Sequence, residues 1–224
     1  MDLENKEYRY EKKFVIQNSF NFLINRYIKS NKLLFRKQFN ERTVYTIYFD
    51  NNNLDLYYQN INGCNNRKKI RIRWYSSKSN FFIPILEIKT KKGNLGKKIK
   101  IPLKKLNKNS NSNLQDIFNA ILKDKYDKKI TNILYNFKPN LFVSYNRDYH
   151  LSRSVDCRLT IDKNIKFHSI KGGKINNLYR PYNKTLIEIK YPQTLESYFL
   201  DGINEIPFRI TKHSKYVEGI NMVN

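Results

Sequence analysis

Over most of this chain apolar and polar residues alternate one by one, and the polar positions are filled by charges in pairs. In a strand, residues i and i+2 share a face, so period-two alternation sorts each run into an apolar half and a polar half. Glu11 and Lys13 fall together, as do Arg71 and Arg73 opposite Ile70, Ile72 and Trp74. Glu87 and Lys89 lie opposite Leu86 and Ile88, and Lys98 and Lys100 form the next pair. Tyr145 shares a face with Arg147, Arg158 with Thr160 and Asp162, and Glu188 with Lys190. Such a chain is bound to form amphipathic strands, and the spacing predicts them over Glu7 to Ile16, Thr43 to Phe49, Asp55 to Asn60, Lys68 to Tyr75 and Phe81 to Lys89. Further strands are predicted over Lys97 to Leu103, Leu141 to Tyr149, Asp156 to Asp162 and Thr185 to Tyr191, with a hairpin turn at Gly93-Asn94-Leu95-Gly96.

A few stretches change to the helical period. Phe20, Leu23, Ile24, Tyr27 and Ile28 follow the i, i+3, i+4, i+7, i+8 template, and so do Leu114, Ile117, Phe118, Ile121 and Leu122 behind Asn113 as N-cap. Shorter helices are predicted around Ile130 to Phe137, after Thr194 with Leu195, Tyr198 and Phe199, and over Ser214 to Met222. Lys104 to Asn113 reads as a polar loop in a single domain spanning residues 1–224. The expected class is α+β: an antiparallel sheet with a few helices outside it.

The charged halves admit two readings. They are the water-facing side of an ordinary amphipathic sheet, or helices cover the apolar face and the sheet curls into a barrel with a charged lumen. In the second case Lys13, Arg71, Arg73, Lys89, Lys98, Lys100, Arg147, Arg158 and Lys190 face inward against Glu11, Glu87, Asp162 and Glu188. That cationic surplus requires anions such as phosphates to compensate it. Arginine offers a planar fork for phosphate and lysine a compact charge, while a carboxylate can hold a divalent cation that bridges phosphate oxygens.

Composition narrows the classes. The formal net charge of +24 points to polyanions, and an aromatic content of 14% excludes a disordered basic tail. Cys64 and Cys157 have no metal-site spacing, and the charged start lacks the apolar core of a secretory signal, so a reduced, cytoplasmic protein is expected. No nucleic acid partner is expected, because the arginines sit at paired strand positions and no RNP-like motif, zinc knuckle or helix-turn-helix occurs. Gly93-Asn94-Leu95-Gly96-Lys97 is not a P-loop, since its spacing is wrong and it joins two strands.

The segments RYEKKF (Arg9 to Phe14), KIRIRWY (Lys69 to Tyr75), LEIKT (Leu86 to Thr90), YNRDY (Tyr145 to Tyr149), RLTID (Arg158 to Asp162), IEIKY (Ile187 to Tyr191) and HSKY (His213 to Tyr216) occur in this order. Together they resemble the catalytic domain of the vacuolar transporter chaperone (VTC) family of polyphosphate polymerases, over roughly residues 7 to 220. The resemblance implies a triphosphate tunnel, an antiparallel β-barrel of the CYTH-like superfamily that binds ATP and a growing polyphosphate chain. It implies that Lys13, Arg71, Arg73, Lys89, Arg147, Arg158 and Lys215 act on the transferred phosphate. Tyr145, Ser214, Lys190 and either Lys98 or Lys100 would bind substrate, and Glu188 would hold Mn²⁺ or Mg²⁺. Related tunnel enzymes open with ExExK; the matching positions here are Arg9, Glu11 and Lys13, which argues against a two-metal hydrolase.

The implied reaction is transfer of the ATP γ-phosphoryl group to a polyphosphate end with release of ADP, and the expected partners are ATP, inorganic polyphosphate and pyrophosphate. The alternatives are a tunnel-fold triphosphatase and a polyphosphate-binding subunit without activity. The SPX domain and membrane segments of eukaryotic VTC subunits are not matched, so translocation of the product would call for a membrane-protein partner.

Overall fold

Pairing of the alternating runs puts their apolar residues on one face of antiparallel sheet and their charges on the other. The computed structural model describes residues 9–76, 81–92, 95–107, 113–123, 126–196 and 206–223. In chain order the strands are β1 (Arg9–Gln17), β2 (Phe35–Asp50), β3 (Asn66–Tyr75), β4 (Phe81–Phe82), β5 (Ile85–Lys92), β6 (Leu95–Pro102), β7 (Leu106–Asn107), β8 (Lys138–Ser152), β9 (Arg158–Lys171), β10 (Lys174–Ile175), β11 (Arg180–Tyr182) and β12 (Lys184–Pro192). The helices are α1 (Asn21–Ser30), α2 (Asp55–Ile61), α3 (Leu114–Lys123), α4 (Lys128–Leu134) and α5 (Lys215–Val223). This is the α+β antiparallel class expected from the alternation.

The chain forms two compact units. The first comprises residues 1–42, 145–165 and 182–213, and its strands run in the order β1-β12-β9-β8. Phe14 and Ile16 of β1, Leu159 and Ile161 of β9, and Ile187 and Ile189 of β12 make its core, which Ile24 and Tyr27 of α1 cover. The second comprises residues 43–144, 166–181 and 214–224, with the order β2-β3-β5-β6. Its core joins Ile70, Ile72 and Trp74 of β3 to Leu86 and Ile88 of β5, under Phe118 and Ile121 of α3 and Ile130 of α4.

Local chemistry sets the helix starts. The Asn113 side-chain Oδ1 accepts from the Asp116 N–H at 2.9 Å, and the Asp116 carboxylate accepts from the Asn113 N–H at 3.0 Å, a reciprocal cap on α3. Asp127 caps α4 by accepting from the Ile130 N–H at 2.9 Å.

One predicted strand is instead a helix. Residues Asp55 to Asn60 form α2, because the buried Asp50 carboxylate accepts from the N–H groups of Leu56 at 3.0 Å and Tyr57 at 2.9 Å. Asn51 adds an acceptor for the Asp55 N–H at 2.9 Å. Three free donors of a helix start are thereby satisfied by residues upstream of the segment, which outweighs its weak alternation. The predicted strand Phe81 to Lys89 is divided into β4 and β5 around Pro84, which has no N–H for a ladder. Gly93 and Asn94 of the predicted hairpin turn lie outside the described residues, as do Tyr198 and Phe199 of the predicted fourth helix, whose described part is a 3₁₀ turn at Gln193–Leu195.

Candidate functional site

In the second unit, strand register gathers the cations of three strands on the face opposite the core. Arg71 pairs with Glu87, and Glu87 with Lys100; one pair further along, Lys69 opposes Lys89 and Lys89 opposes Lys98. From β2, Tyr48 opposes Arg71 and Thr46 opposes Arg73. Glu87 is the hub of this face. Its Oε2 accepts from Arg71 Nε at 2.6 Å and lies 2.5 Å from Arg71 Nη2 and 3.8 Å from Arg73 Nη1, while its Oε1 is 2.9 Å from Lys98 Nζ.

Burial by itself would raise the Glu87 carboxyl, but Arg71, then Arg73, then Lys98 outweigh it and hold it down at about 2. Lys98 does not gain what a simple ion pair would give it. Burial above all, with repulsion from Arg71 and Arg73, exceeds the pull of Glu87 and brings its ammonium down to about 8. Arg73 Nε and Thr46 Oγ1 are buried with no hydrogen-bond partner among the described residues.

The start of α5 joins this face. Ser214 Oγ accepts from Lys69 Nζ at 3.0 Å and from the Val217 N–H at 3.4 Å, so it caps the helix whose first residue is Lys215. The Tyr216 hydroxyl donates to Asp50 Oδ2 at 2.5 Å, and the Tyr216 ring stacks on Tyr48 at 5.2 Å. Burial raises the Tyr48 hydroxyl, yet Arg71, Arg73 and Lys215 together bring it below its ordinary value. Asp50 therefore organises both α2 and the helix that carries Lys215.

In the first unit the charges alternate in sign. Lys13 opposes Glu188 across β1 and β12, Glu11 opposes Lys190, and Lys190 opposes Arg158 across β12 and β9. Lys13 Nζ is 2.7 Å from Glu11 and 3.9 Å from Glu188, and it donates to the His213 carbonyl at 3.2 Å. Lys190 Nζ is 2.6 Å from Glu188 and 3.6 Å from Glu11. Burial acts to raise the Glu188 carboxyl, and Lys190, Lys13 and Arg147 override it and hold it well below the usual range.

Arg147 grips Asp162 with Nε at 2.5 Å and Nη2 at 2.7 Å, above the buried Tyr145 ring at 5.3 Å. Burial disfavours the Arg147 charge, but Asp162 more than restores it. Arg158 is exposed and has no ion-pair partner among the described residues.

The structure thus brings Arg71, Arg73 and Lys98 together at Glu87, with Lys89 and Lys100 in adjoining register and Ser214 tied to Lys69. Separately, it brings Lys13, Lys190 and Glu188 together and pairs Arg147 with Asp162 beside Tyr145. Sequence reasoning passed over Lys69, although Lys69, Arg71 and Arg73 share one face by simple alternation. Tyr48 and Asp50 were also missed; alternation flags Tyr48, and nothing local flags Asp50.

Among the described residues no three His, Cys, Asp or Glu side chains converge on one point. Glu188 and Glu11 are the carboxylates there that could help to hold a hard cation, and lysines already engage both. Glu188 and Glu11 share the same two lysines on adjacent strands, and Mg²⁺ or Mn²⁺ commonly takes one or two carboxylates and completes its shell with substrate phosphates.

The sequence profile of the VTC domain matches residues 8–224. The chain belongs to the VTC domain family. Three solved structures resemble the VTC domain: a protein of Pyrococcus horikoshii (TM-score 0.52, 14% identity, covering 96% of this chain and 98% of that one), a candidate adenylate cyclase of Bacillus halodurans (0.55, 13%, 95% and 96%) and another of Vibrio parahaemolyticus (0.53, 12%, 96% and 98%). At these identities the likeness concerns the fold, and it agrees with the tunnel-type α+β class. A comparison with curated proteins gives no match. No helix among the described residues of the VTC domain is long and apolar enough to cross a membrane.

Proposed function

We propose that this VTC domain is a polyphosphate polymerase that transfers the γ-phosphoryl group of ATP to the end of an inorganic polyphosphate chain and releases ADP. The observation that carries the reading is the charged face of β3, β5 and β6, where Arg71, Arg73, Lys69, Lys89, Lys98 and Lys100 have the single carboxylate Glu87 among them. Three strands that carry one carboxylate of their own against so many cations suit an anion with several negative oxygens. The buried Nε of Arg73, without a hydrogen-bond partner among the described residues, is one N–H for which a phosphate oxygen is the natural acceptor.

Phosphoryl transfer requires alignment and neutralisation more than a covalent protein intermediate. Arg71 and Arg73 would hold equatorial phosphate oxygens, Lys98 and Lys89 the neighbouring phosphate, and Lys215 a further oxygen beside Ser214. In the first unit Arg147, whose Nε and Nη2 hold Asp162, would meet phosphate through its remaining N–H groups, and Arg158 and Lys13 would add charge. Glu188, with Glu11 beside it, would hold Mg²⁺ or Mn²⁺ carried by the nucleotide; the cation supplies charge neutralisation at the phosphates. The acceptor is already an anion, so no strong general base is needed.

Incubation of purified protein with ATP, Mn²⁺ or Mg²⁺ and a trace of pyrophosphate tests this. Polymer with ADP is the expected product; orthophosphate without polymer replaces the reading with that of a triphosphatase, and binding without turnover with that of a non-catalytic subunit.

A further inference from the structure

The charge of this chain is concentrated in one stretch. Residues 56–115 hold fifteen Lys and Arg and one carboxylate, Glu87. Register turns this bias into a surface. On the face that carries Arg71, the strands β3, β5 and β6 form successive rungs: Arg71, Glu87 and Lys100; then Lys69, Lys89 and Lys98; then Arg67, Lys91 and Gly96. At about 3.4 Å of rise per residue the three rungs span roughly 13 Å along the strands.

The carboxylate occurs only in the first rung. The outermost rung is accessible, since Arg67 and Lys91 are both half-buried. The Arg67 guanidinium donates to the Cys64 carbonyl at 3.2 Å, which anchors the group and leaves its other N–H donors available. Neither Arg67 nor Lys91 has an ion-pair partner among the described residues, and the two residues that follow Lys92, Gly93 and Asn94, bring no charge.

We propose that the Arg67–Lys91 rung is a distal subsite for inorganic polyphosphate, holding the chain beyond the phosphates gathered at Arg71, Arg73 and Lys98. The identification of the anion rests on the function proposed above. None of the residues in the three rungs is aromatic, whereas surfaces that bind single-stranded nucleic acid stack bases on aromatic rings. A bare chain of phosphates uses point charges alone, and lysine dominates these rungs. The subsite favours long chains over short ones because only a long chain reaches both the inner rungs and the outer one.

The test compares two double variants with equal loss of charge. Arg67→Ser with Lys91→Ser removes the outer rung; Lys92→Ser with Lys97→Ser removes two cations whose register places them on the opposite face of β5 and β6. Affinity for long-chain polyphosphate and for tripolyphosphate is measured by titration calorimetry over a range of salt. The first double is expected to weaken long-chain binding about tenfold and to flatten its salt dependence by about one to two in logarithmic slope, with tripolyphosphate binding unchanged. The second double is expected to bind the long chain within about twofold of wild type. Equal weakening by both doubles, or none by the first, overturns the subsite. So does tighter binding of a single-stranded oligonucleotide through Arg67 and Lys91, which makes the rung a nucleic-acid surface. Binding is read without turnover, so a protein that makes no polymer yet shows the expected contrast keeps the subsite and loses the polymerase.

Discussion

Lys98 Nζ stands 2.9 Å from Glu87 Oε1 while the other oxygen of the same carboxylate is taken by Arg71. Lys98 shares that carboxylate with two arginines, and burial together with their repulsion brings its ammonium down to about 8. Protonated Lys98 attracts phosphate; as pH rises through about 8 it loses that charge. Tripolyphosphate affinity is expected to fall across that interval in wild type. Lys98→Arg stays charged and is expected to flatten the profile, as measured by calorimetric titration between pH 6.5 and 9.5.

Glu87 holds three cations that would otherwise repel one another. Its folded value of about 2 lies below its ordinary 4.5, so its contribution to stability is present above pH 4.5 and is lost as pH falls towards 2. Glu87→Gln is expected to cost about 3 kcal/mol in the ligand-free protein. Added tripolyphosphate should raise the Tm of the variant more than that of wild type, because the anion takes over as counter-charge. Thermal unfolding with and without tripolyphosphate measures both effects; an equal rise in the two proteins contradicts the hub role.

Much of this cluster was legible from the alternation. Arg71, Arg73, Glu87, Lys98 and Lys100 were placed on one face because i and i+2 share a side whatever the partner strand. Alternation also puts Lys69 on the face of Arg71 and Arg73, and Tyr48 on that of Thr46; which strands bring them side by side is a matter of register, seen only with β2 paired to β3 and β3 to β5. The helix α2 is not legible locally because its capping acceptor, Asp50, precedes it and acts through a buried carboxylate that no local period reports. The first half of β2, a polar run from Phe35, was missed because most of its side chains are exposed and no alternation marks it.

Arg158 and Arg147 separate chemistry from stability. Arg158 is exposed without an ion pair among the described residues, so Arg158→Ala is expected to lower ADP release by about 10²–10³ with Tm unchanged. Arg147→Ala is expected to lose as much turnover and also to lower Tm, since it removes the bidentate partner of the buried Asp162. Steady-state ADP release beside thermal unfolding checks the pair. Wild-type turnover in Arg158→Ala removes that residue from the site.

Gly219 of α5 is where the helix carrying Lys215 meets the sheet. A Cβ there would lie 2.5 Å from Leu141 Cδ2 and 2.7 Å from Phe167 Cδ1, both in a packed core. Gly219→Ala is expected to destabilise by about 1–3 kcal/mol through overpacking, despite the better helix propensity of alanine. Denaturant unfolding measures it; a stabilised variant contradicts the close approach.

The central claim is that these cations serve phosphoryl transfer to a phosphate chain. It is tested most directly by following ATP labelled in the γ-phosphate, with Mn²⁺ and a trace of pyrophosphate, and by partitioning the label among ATP, orthophosphate and acid-labile polymer while ADP is measured in parallel. Label is expected to enter polymer one for one with ADP, and Arg71→Ala to abolish both. Label recovered as orthophosphate in step with ADP, with none in polymer, contradicts it.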